Sequence, residues 1–346
     1  LTAFMVYRLC NKLGLQKKDS ISCALVFFVI PSVSLSSFLI STDVLLLLFW
    51  SILMNLLLTI RKKPSCLNFV FLGIFFGLAL LTKYAAVYFL VCLFVLFFYD
   101  KNFRLIFINN IRGVLLFLFI GFVFLFPNLL WNHFNGWVTF SHTADNADLE
   151  NHNINPLRGL GFLLIQIAML GPVIFLGFLI NLKNIKIDFQ NMYLICFSAP
   201  IMVIVLVESI VVRANANWAA PALLSLLVLF FRSIKKHREI LINTNFFFNL
   251  AVGSFLFIAI AASSPFVFFD RISGIKEFAN EVVVVSGKDT FVVADRMLFS
   301  SLSYELRNRS IKILMPHNPA QPITNHFQLE SGLEKDFDRG FVLIGD

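Results

Sequence analysis

The stretch LNFVFLGIFFGLALLTKYAAVYFLVCLFVLFFY, Leu67–Tyr99, carries a single charge, Lys83, between two largely apolar runs. Together the runs are too long for one ordinary crossing of about 30 Å of hydrocarbon, which about 20 helical residues fill. The stretch therefore reads as two passes that meet at Lys83, in a chain that crosses a membrane repeatedly.

Working outward, comparable apolar runs lie near 21–40, 44–60, 67–82, 84–99, 113–130, 160–181, 191–210, 218–232 and 246–264, about nine passes in all. Composition agrees: 58% of the residues are hydrophobic, 14% are charged, and mean hydropathy is +0.83. Soluble domains carry about 25% charged residues, so a soluble enzyme is excluded, as is a charge-rich disordered chain. Five cysteines in 346 residues are too few for a disulfide-stapled module. Cys10 and Cys66 flank predicted spans while Cys23, Cys92 and Cys196 lie within them, so no pair is suggested.

The net charge of +8 is dispersed as short basic clusters between apolar runs rather than gathered on one face, which argues against a nucleic-acid partner. It reads instead as orientation, since basic residues favour cytoplasmic loops. If the first twenty residues and every second connection after them are cytoplasmic, that side holds 16 Lys and Arg, and the opposite connections hold only Lys83, Arg158 and Arg213. The remaining basic residues fall in the C-terminal stretch. On this orientation Ser41-Thr42-Asp43, Lys83, the polar loop from Asn128 to Arg158, the Arg213–Trp218 connection and the tail all face the outer side.

The tail changes character. Strands are predicted at Phe291–Ala294, Ile311–Met315 and Phe341–Ile344, with a helix over Asp295–Asn308 and a loop marked by Pro316, Pro319 and Pro322. The expected architecture is an α-helical polytopic membrane protein with a small C-terminal α/β extracytoplasmic domain, divided into 1–264 and 265–346. The chain opens on Leu1 without an initiator Met or a signal-peptide pattern. Leu1–Leu9 reads as the end of an earlier helix, and the sequence as a fragment. There is no solenoid repeat, nucleotide-binding glycine loop, CxxC pair or HExxH.

Four polar constellations stand out. Asp43 either caps the 44–60 helix together with Ser41 and Thr42, or serves a metal or a sugar, because carboxylates near a span are costly and often functional. Lys83, beside Tyr84, either snorkels to the interface or holds a lipid phosphate as a compact positive charge. Trp131, His133, Trp137 and His142 suit either a belt of interfacial anchors or a carbohydrate, whose ring faces stack on indoles while its hydroxyls need donors and acceptors. Glu208 is followed by Arg213, Asn215, Asn217 and Trp218; Arg213 pairs with Glu208 or contacts a phosphate or substrate.

The order of Ser41-Thr42-Asp43, Gly77-Leu78-Ala79-Leu80-Leu81-Thr82-Lys83-Tyr84, Pro127-Asn128 through Trp137, Arg213–Pro221 and Asp295–Tyr304 resembles the GT-C type membrane glycosyltransferases. The likeness is to the dolichyl-phosphate-mannose-protein mannosyltransferase-like and aminoarabinose-transferase-like branch, glycosyltransferase families 39 and 83. The resemblance implies a GT-C-like bundle in a bacterial inner membrane. It implies inverting transfer of a sugar from a polyprenyl-phosphate donor to a lipid, glycan or protein acceptor at the outer face, among membrane lipids. It matches Asp43 to a second-loop catalytic carboxylate, with a divalent cation as an option there and no other cofactor. It places Lys83, with Tyr84 and Arg213, at the donor phosphate, and Trp131, His133, Trp137, His142, Asn217 and Trp218 at the substrate. The family's first-loop acidic pair, commonly Asp-Glu, is absent from this sequence, so the general base is expected upstream of Leu1. The rival readings are a polytopic transporter or lipid flippase, in which Glu208, Asp43 and Lys83 line a path, and a truncated, non-catalytic remnant acting in assembly or sensing.

Overall fold

A computed structural model describes residues 1–38, 41–147, 154–212, 214–235, 237–261, 274–287, 289–318, 323, 325–334, 337 and 340–345. The chain packs as two compact units, one of Leu1–Leu129 with Ala147–Phe255 and one of Leu130–Asn146 with Leu256–Asp346. The stretch Leu130–Asn146, read from the sequence as part of the outer polar loop within residues 1–264, packs with the second unit.

The protein is a polytopic helical membrane protein. Among the described residues, five helices are long and apolar enough to cross a bilayer: Thr42–Lys62, Ile111–Phe134, Phe189–Val211, Ala216–Ser233 and Arg238–Ala259. Two bent pairs, Tyr84–Tyr99 with Lys101–Asn109 and Pro156–Leu170 with Pro172–Asn184, bring the number to seven if each is one span, and Cys66–Thr82 is a shorter apolar helix. The nine expected passes are thus not nine straight helices. The run 21–40 is two helices, Lys17–Val29 and Pro31–Phe38, broken where Ile30 is extended. A residue before proline is pushed out of the helical region. The run 160–181 bends by 100° at Gly171-Pro172, where Gly171 has φ +102° and Pro172 opens the next helix. A side chain at Gly171 would also meet the buried amides of Asn245 and Asn249. The split at Lys83 is as expected: Cys66–Thr82 ends, Lys83 is extended, and a 3-10 turn, Tyr84–Val87, starts the next pass.

What holds the first unit together is an aromatic cluster on Trp50, which is fully buried. Its indole meets Phe89 edge-on at 5.3 Å and Phe197 at 6.2 Å, while Phe76 reaches Phe89 at 6.0 Å and Phe117 at 5.4 Å. Five helical segments therefore share one packed centre, of the edge-to-face kind that aromatic quadrupoles favour. The Tyr193 hydroxyl donates to the Met54 carbonyl at 2.9 Å, which supplies the partner that a buried phenol requires. Leu115, Phe119, Phe122, Val123 and Phe126 stay exposed on Ile111–Phe134. On a helix this apolar, such a face is turned to lipid.

At one end of the bundle Arg61 pairs with Asp100 at 3.6 Å and lies over the Phe189 ring at 3.5 Å. Arg232 bonds Asp188 at 3.2 Å, Asn191 at 2.7 Å and the Leu13 carbonyl. These arginines close the C-terminal ends of the helices whose starts carry Asp43 and Asn217. These ion pairs thereby lie at helix ends, as the cost of ions in hydrocarbon demands.

The second unit contains a parallel sheet of β1 (Thr290–Val293), β2 (Lys312–Leu314) and β3 (Val342–Ile344), in the order β2-β1-β3. Phe291 lies opposite Ile313 on one side and Val342 on the other. The helix Arg296–Glu305 connects β1 to β2 and is capped by Asp295, whose carboxylate accepts from the Leu298 N–H at 2.7 Å. The strands and helix predicted for the tail are all present within a few residues. Pro319 and Pro322 lie outside the described residues.

Helix Cys66–Thr82 meets Ile111–Phe134 through Gly73 and Gly77. A Cβ built on Gly73 would lie 2.8 Å from both Ile120 Cβ and the Phe117 carbonyl oxygen. Small residues let helix backbones approach this closely in lipid. Replacing Gly73 by leucine is expected to destabilise the unit by about 1–3 kcal/mol, the usual range for overpacking. Unfolding of the purified protein in detergent checks this, and an unshifted midpoint contradicts it.

Candidate functional site

Helix Thr42–Lys62 begins after Ser41, which makes no side-chain cap bond, and carries Asp43 in its first turn. That position favours a carboxylate because the free N–H groups of a helix start leave partial positive charge. The Asp43 side chain is only 9% exposed, and it is turned to two partners rather than used as a cap. Lys83 Nζ donates to Oδ1 at 2.7 Å, and Asn217 Nδ2 donates to Oδ2 at 2.7 Å. Three elements far apart in sequence thus converge on one carboxylate. The extended backbone at Lys83 ends one helix and frees its side chain to cross to Asp43. Asn217 comes from the 3-10 turn Ala216–Ala219, which leads into the helix Ala220–Ser233.

Beyond Lys83, the same short segment makes two more polar contacts. The Tyr84 hydroxyl donates to Asn128 Oδ1 at 2.5 Å, and the Tyr88 hydroxyl lies 3.4–3.5 Å from the Glu208 carboxylate. Lys83, Tyr84 and Tyr88 therefore contact three different helices. Tyr88 and Asn128 were not singled out individually in the sequence. Their signal was spacing, for Tyr88 follows Lys83 by one short turn and Asn128 follows the in-helix Pro127.

A small apolar cleft of about 30 Å³ lies at Asp43 and Asn217, walled by Phe27, Leu47, Met169 and Leu223 among others. A second groove, along Leu1, Phe28, Leu45 and Leu48, shares Phe27, Val33, Ser36 and Leu47 with it. The carboxylate thus borders a small apolar cleft that shares walls with a larger apolar groove.

The other expected site residues divide. Trp218 sits half-buried beside Asn217 and packs on the core of the first unit. Arg213 lies outside the described residues, so its pairing with Glu208 does too. Trp131, His133 and Trp137 belong to the second unit. There His133 and Trp137 stack edge-on at 6.1 Å, both tryptophans are nearly half exposed, and Trp137 holds a left-handed backbone at φ 59°. His142 lies on the helix Val138–Ala147 of that same unit.

A divalent cation does not fit the site as built. Among the described residues no three His, Cys, Asp or Glu side chains are grouped for a metal. At Asp43 the place of a cation is held by the Lys83 ammonium, and the neighbouring oxygen by an amide N–H. Hard divalent ions want several oxygen ligands, and here there is one carboxylate already engaged with two donors.

These features define a class: a membrane-embedded helical protein that holds a shielded lysine–carboxylate pair at one end of the bundle, next to an apolar cleft. Residues 1–131 match the family of dolichyl-phosphate-mannose-protein mannosyltransferases. The chain is also 27% identical over 340 residues to the lipid A galacturonosyltransferase RgtD of Rhizobium johnstonii, covering 92% of this chain and 69% of the relative. No solved structure matches it. The GT-C resemblance read from the sequence therefore holds, and both matches point to a membrane glycosyltransferase.

Asp43 and Lys83 are mutually dependent. Removing one partner of a mostly buried pair strands the other charge, at a cost of about 3–5 kcal/mol, whereas replacing both by apolar groups is often neutral. Asp43→Leu alone should thus unfold more readily than the Asp43→Leu/Lys83→Met double variant. A double-mutant cycle of unfolding free energies measures this, and equal costs for single and double variants would show that the pair is not coupled.

Proposed function

We propose that this chain is an integral membrane glycosyltransferase that moves a sugar from a polyprenyl-phosphate donor to a lipid, glycan or protein acceptor at the outer face of a bacterial inner membrane. One observation carries the reading: a lysine held at a helix end by a buried carboxylate, beside a small apolar cleft that shares walls with a larger apolar groove of about 300 Å³. The family match and the galacturonosyltransferase relative support it, and the relative makes a uronic acid the first sugar to test.

The chemistry follows from charge. In the donor the anomeric carbon is bonded to a phosphate oxygen. When that bond breaks, its electron pair goes to the phosphate, which gains negative charge. An ammonium has three donors; Lys83 gives one to Asp43 and keeps two for the leaving oxygens. A cation fixed where charge develops stabilises the transition state more than the ground state. Asp43 and Asn217 fix it there, since Asn217 holds one carboxylate oxygen and leaves the other for Lys83. The acceptor oxygen or nitrogen forms the new bond to the anomeric carbon from the opposite face, with inversion, and its proton passes to a carboxylate base.

Lys83→Ala is expected to lower transfer by about 10²–10³, the range for loss of one donor to a developing oxyanion, with membrane insertion unchanged. Release of polyprenyl phosphate from a polyprenyl-phosphate uronate donor by purified protein measures the effect. Turnover equal to that of the parent would remove Lys83 from the donor site.

A further inference from the structure

The cleft at Asp43 is about 30 Å³ in size, and two parts of its wall come from helix breaks. Ser32, Val33 and Ser36 belong to the short helix Pro31–Phe38, which starts after the break at Ile30. Met169 lies two residues before Gly171, where Pro156–Leu170 bends by 100° into Pro172–Asn184. Ser32 Oγ donates to the Met169 carbonyl at 3.1 Å, so a hydrogen bond ties the two broken runs together on the wall of the cleft. A continuous helix at either place would hold its side of the wall rigidly. A break lets a segment turn about a few backbone angles.

Beside the second break stand two asparagines. Asn245 and Asn249 are one turn apart on the helix Arg238–Ala261, and both are buried. Among the described residues, none of their four amide nitrogen and oxygen atoms has a hydrogen-bond partner. Polar side chains inside a membrane helix are costly, and a buried amide without partners calls for a reason. The break supplies one. Pro172 has no N–H, so the Ala168 carbonyl four residues before it loses its helical donor. Gly171 holds its backbone at φ +102°, a conformation glycine adopts readily. A Cβ on it would lie 2.9 Å from Asn245 Oδ1 and 3.1 Å from Asn249 Oδ1. The unpaired amides therefore press on the glycine at the bend itself, three residues along the chain from a carbonyl that lacks its donor.

We propose that Gly171 is the hinge of a gate over the Asp43 cleft, closed in this structure by the Ser32–Met169 hydrogen bond and held open by Asn245 and Asn249. Rotation at Gly171 draws Met169 away from Ser32 and turns backbone groups of the break, the Ala168 carbonyl among them, toward the two amides. Closing makes one hydrogen bond and leaves two buried amides unpaired; opening breaks that bond and pairs them. Each state therefore carries a fault that the other repairs, which keeps both within reach of thermal motion. The consequence for the reaction rests on the proposed function: the opened cleft joins the groove that shares Phe27 and Leu47 with it, and the donor's chain reaches the Asp43–Lys83 pair from there.

The test reads the gate rather than the reaction. Leu224 lines the cleft and is only 1% exposed, so a cysteine placed there reacts with a thiol reagent when the wall opens. The parent for the measurement is the full chain in detergent carrying Leu224→Cys and Cys66→Ser; its other native cysteines are buried. The rate of modification by methyl methanethiosulfonate is followed by the mass of the peptide that contains position 224. Ser32→Ala should raise that rate by about fivefold, as for loss of one intramolecular hydrogen bond. Asn245→Leu/Asn249→Leu should lower it by about tenfold and raise the thermal unfolding midpoint, because unpaired buried amides are removed from the closed state. A chain that is more stable yet slower to open is not what asparagines serving only to pack would give. Asn249→Leu alone carries the same expectation at smaller size, in case the double variant does not fold. The gate is overturned if the asparagine variants react at the parent rate or faster, if their midpoint falls, or if Ser32→Ala leaves the rate unchanged. Release of polyprenyl phosphate, measured separately, distinguishes the two readings: a chain that opens as described but transfers nothing would count against the proposed function alone.

Discussion

An ammonium and a carboxylate 2.7 Å apart, both mostly shielded from water, organise this molecule. Neither Lys83 nor Asp43 can sit alone in a bundle whose helices are otherwise leucine, phenylalanine and valine, because an unpaired ion in such surroundings costs several kcal/mol. Their pairing therefore dictates that the C-terminal end of Cys66–Thr82 and the start of Thr42–Lys62 lie together. Asn217 extends the constraint to a third helix. The same segment, through Tyr84 and Tyr88, reaches Asn128 and Glu208. Packing about Trp50 supplies most of the cohesion, and the polar end supplies the register.

The arrangement also explains how a membrane enzyme can hold a charged head group without a water-filled basin. A lysine already paired to a carboxylate is held in place before substrate arrives, and its remaining donors need little reorganisation. The apolar groove that shares walls with the cleft beside it is where a carrier's chain is proposed to lie.

Much of this was legible in the sequence because hydrophobic patterning and charge placement act over short distances. The interruption of the Leu67–Tyr99 run by one lysine marked a helix end, and the end is there. Alternation and turn signals in the tail located β1, β2 and β3. Asp43, Lys83 and Asn217 were each visible as polar residues out of place. Their meeting was not, since nothing local says that residues 43, 83 and 217 converge. Asn217 was read as a substrate contact, and its amide is found hydrogen-bonded to Asp43. The breaks at Ile30 and Gly171 were hidden in runs whose hydropathy continues unbroken through a proline, because hydropathy measures burial and is indifferent to backbone geometry.

The account places the Asp43–Lys83–Asn217 end of the bundle on the outer face of the membrane. Asn215 is exposed in the connection that carries Asn217, and the native Cys66, also exposed, sits at the far end of the helix that leads to Lys83. Labelling of an Asn215→Cys variant in intact spheroplasts with a membrane-impermeant maleimide is the direct measurement. Position 215 should react before permeabilisation and Cys66 only after it; the reverse order would contradict the account.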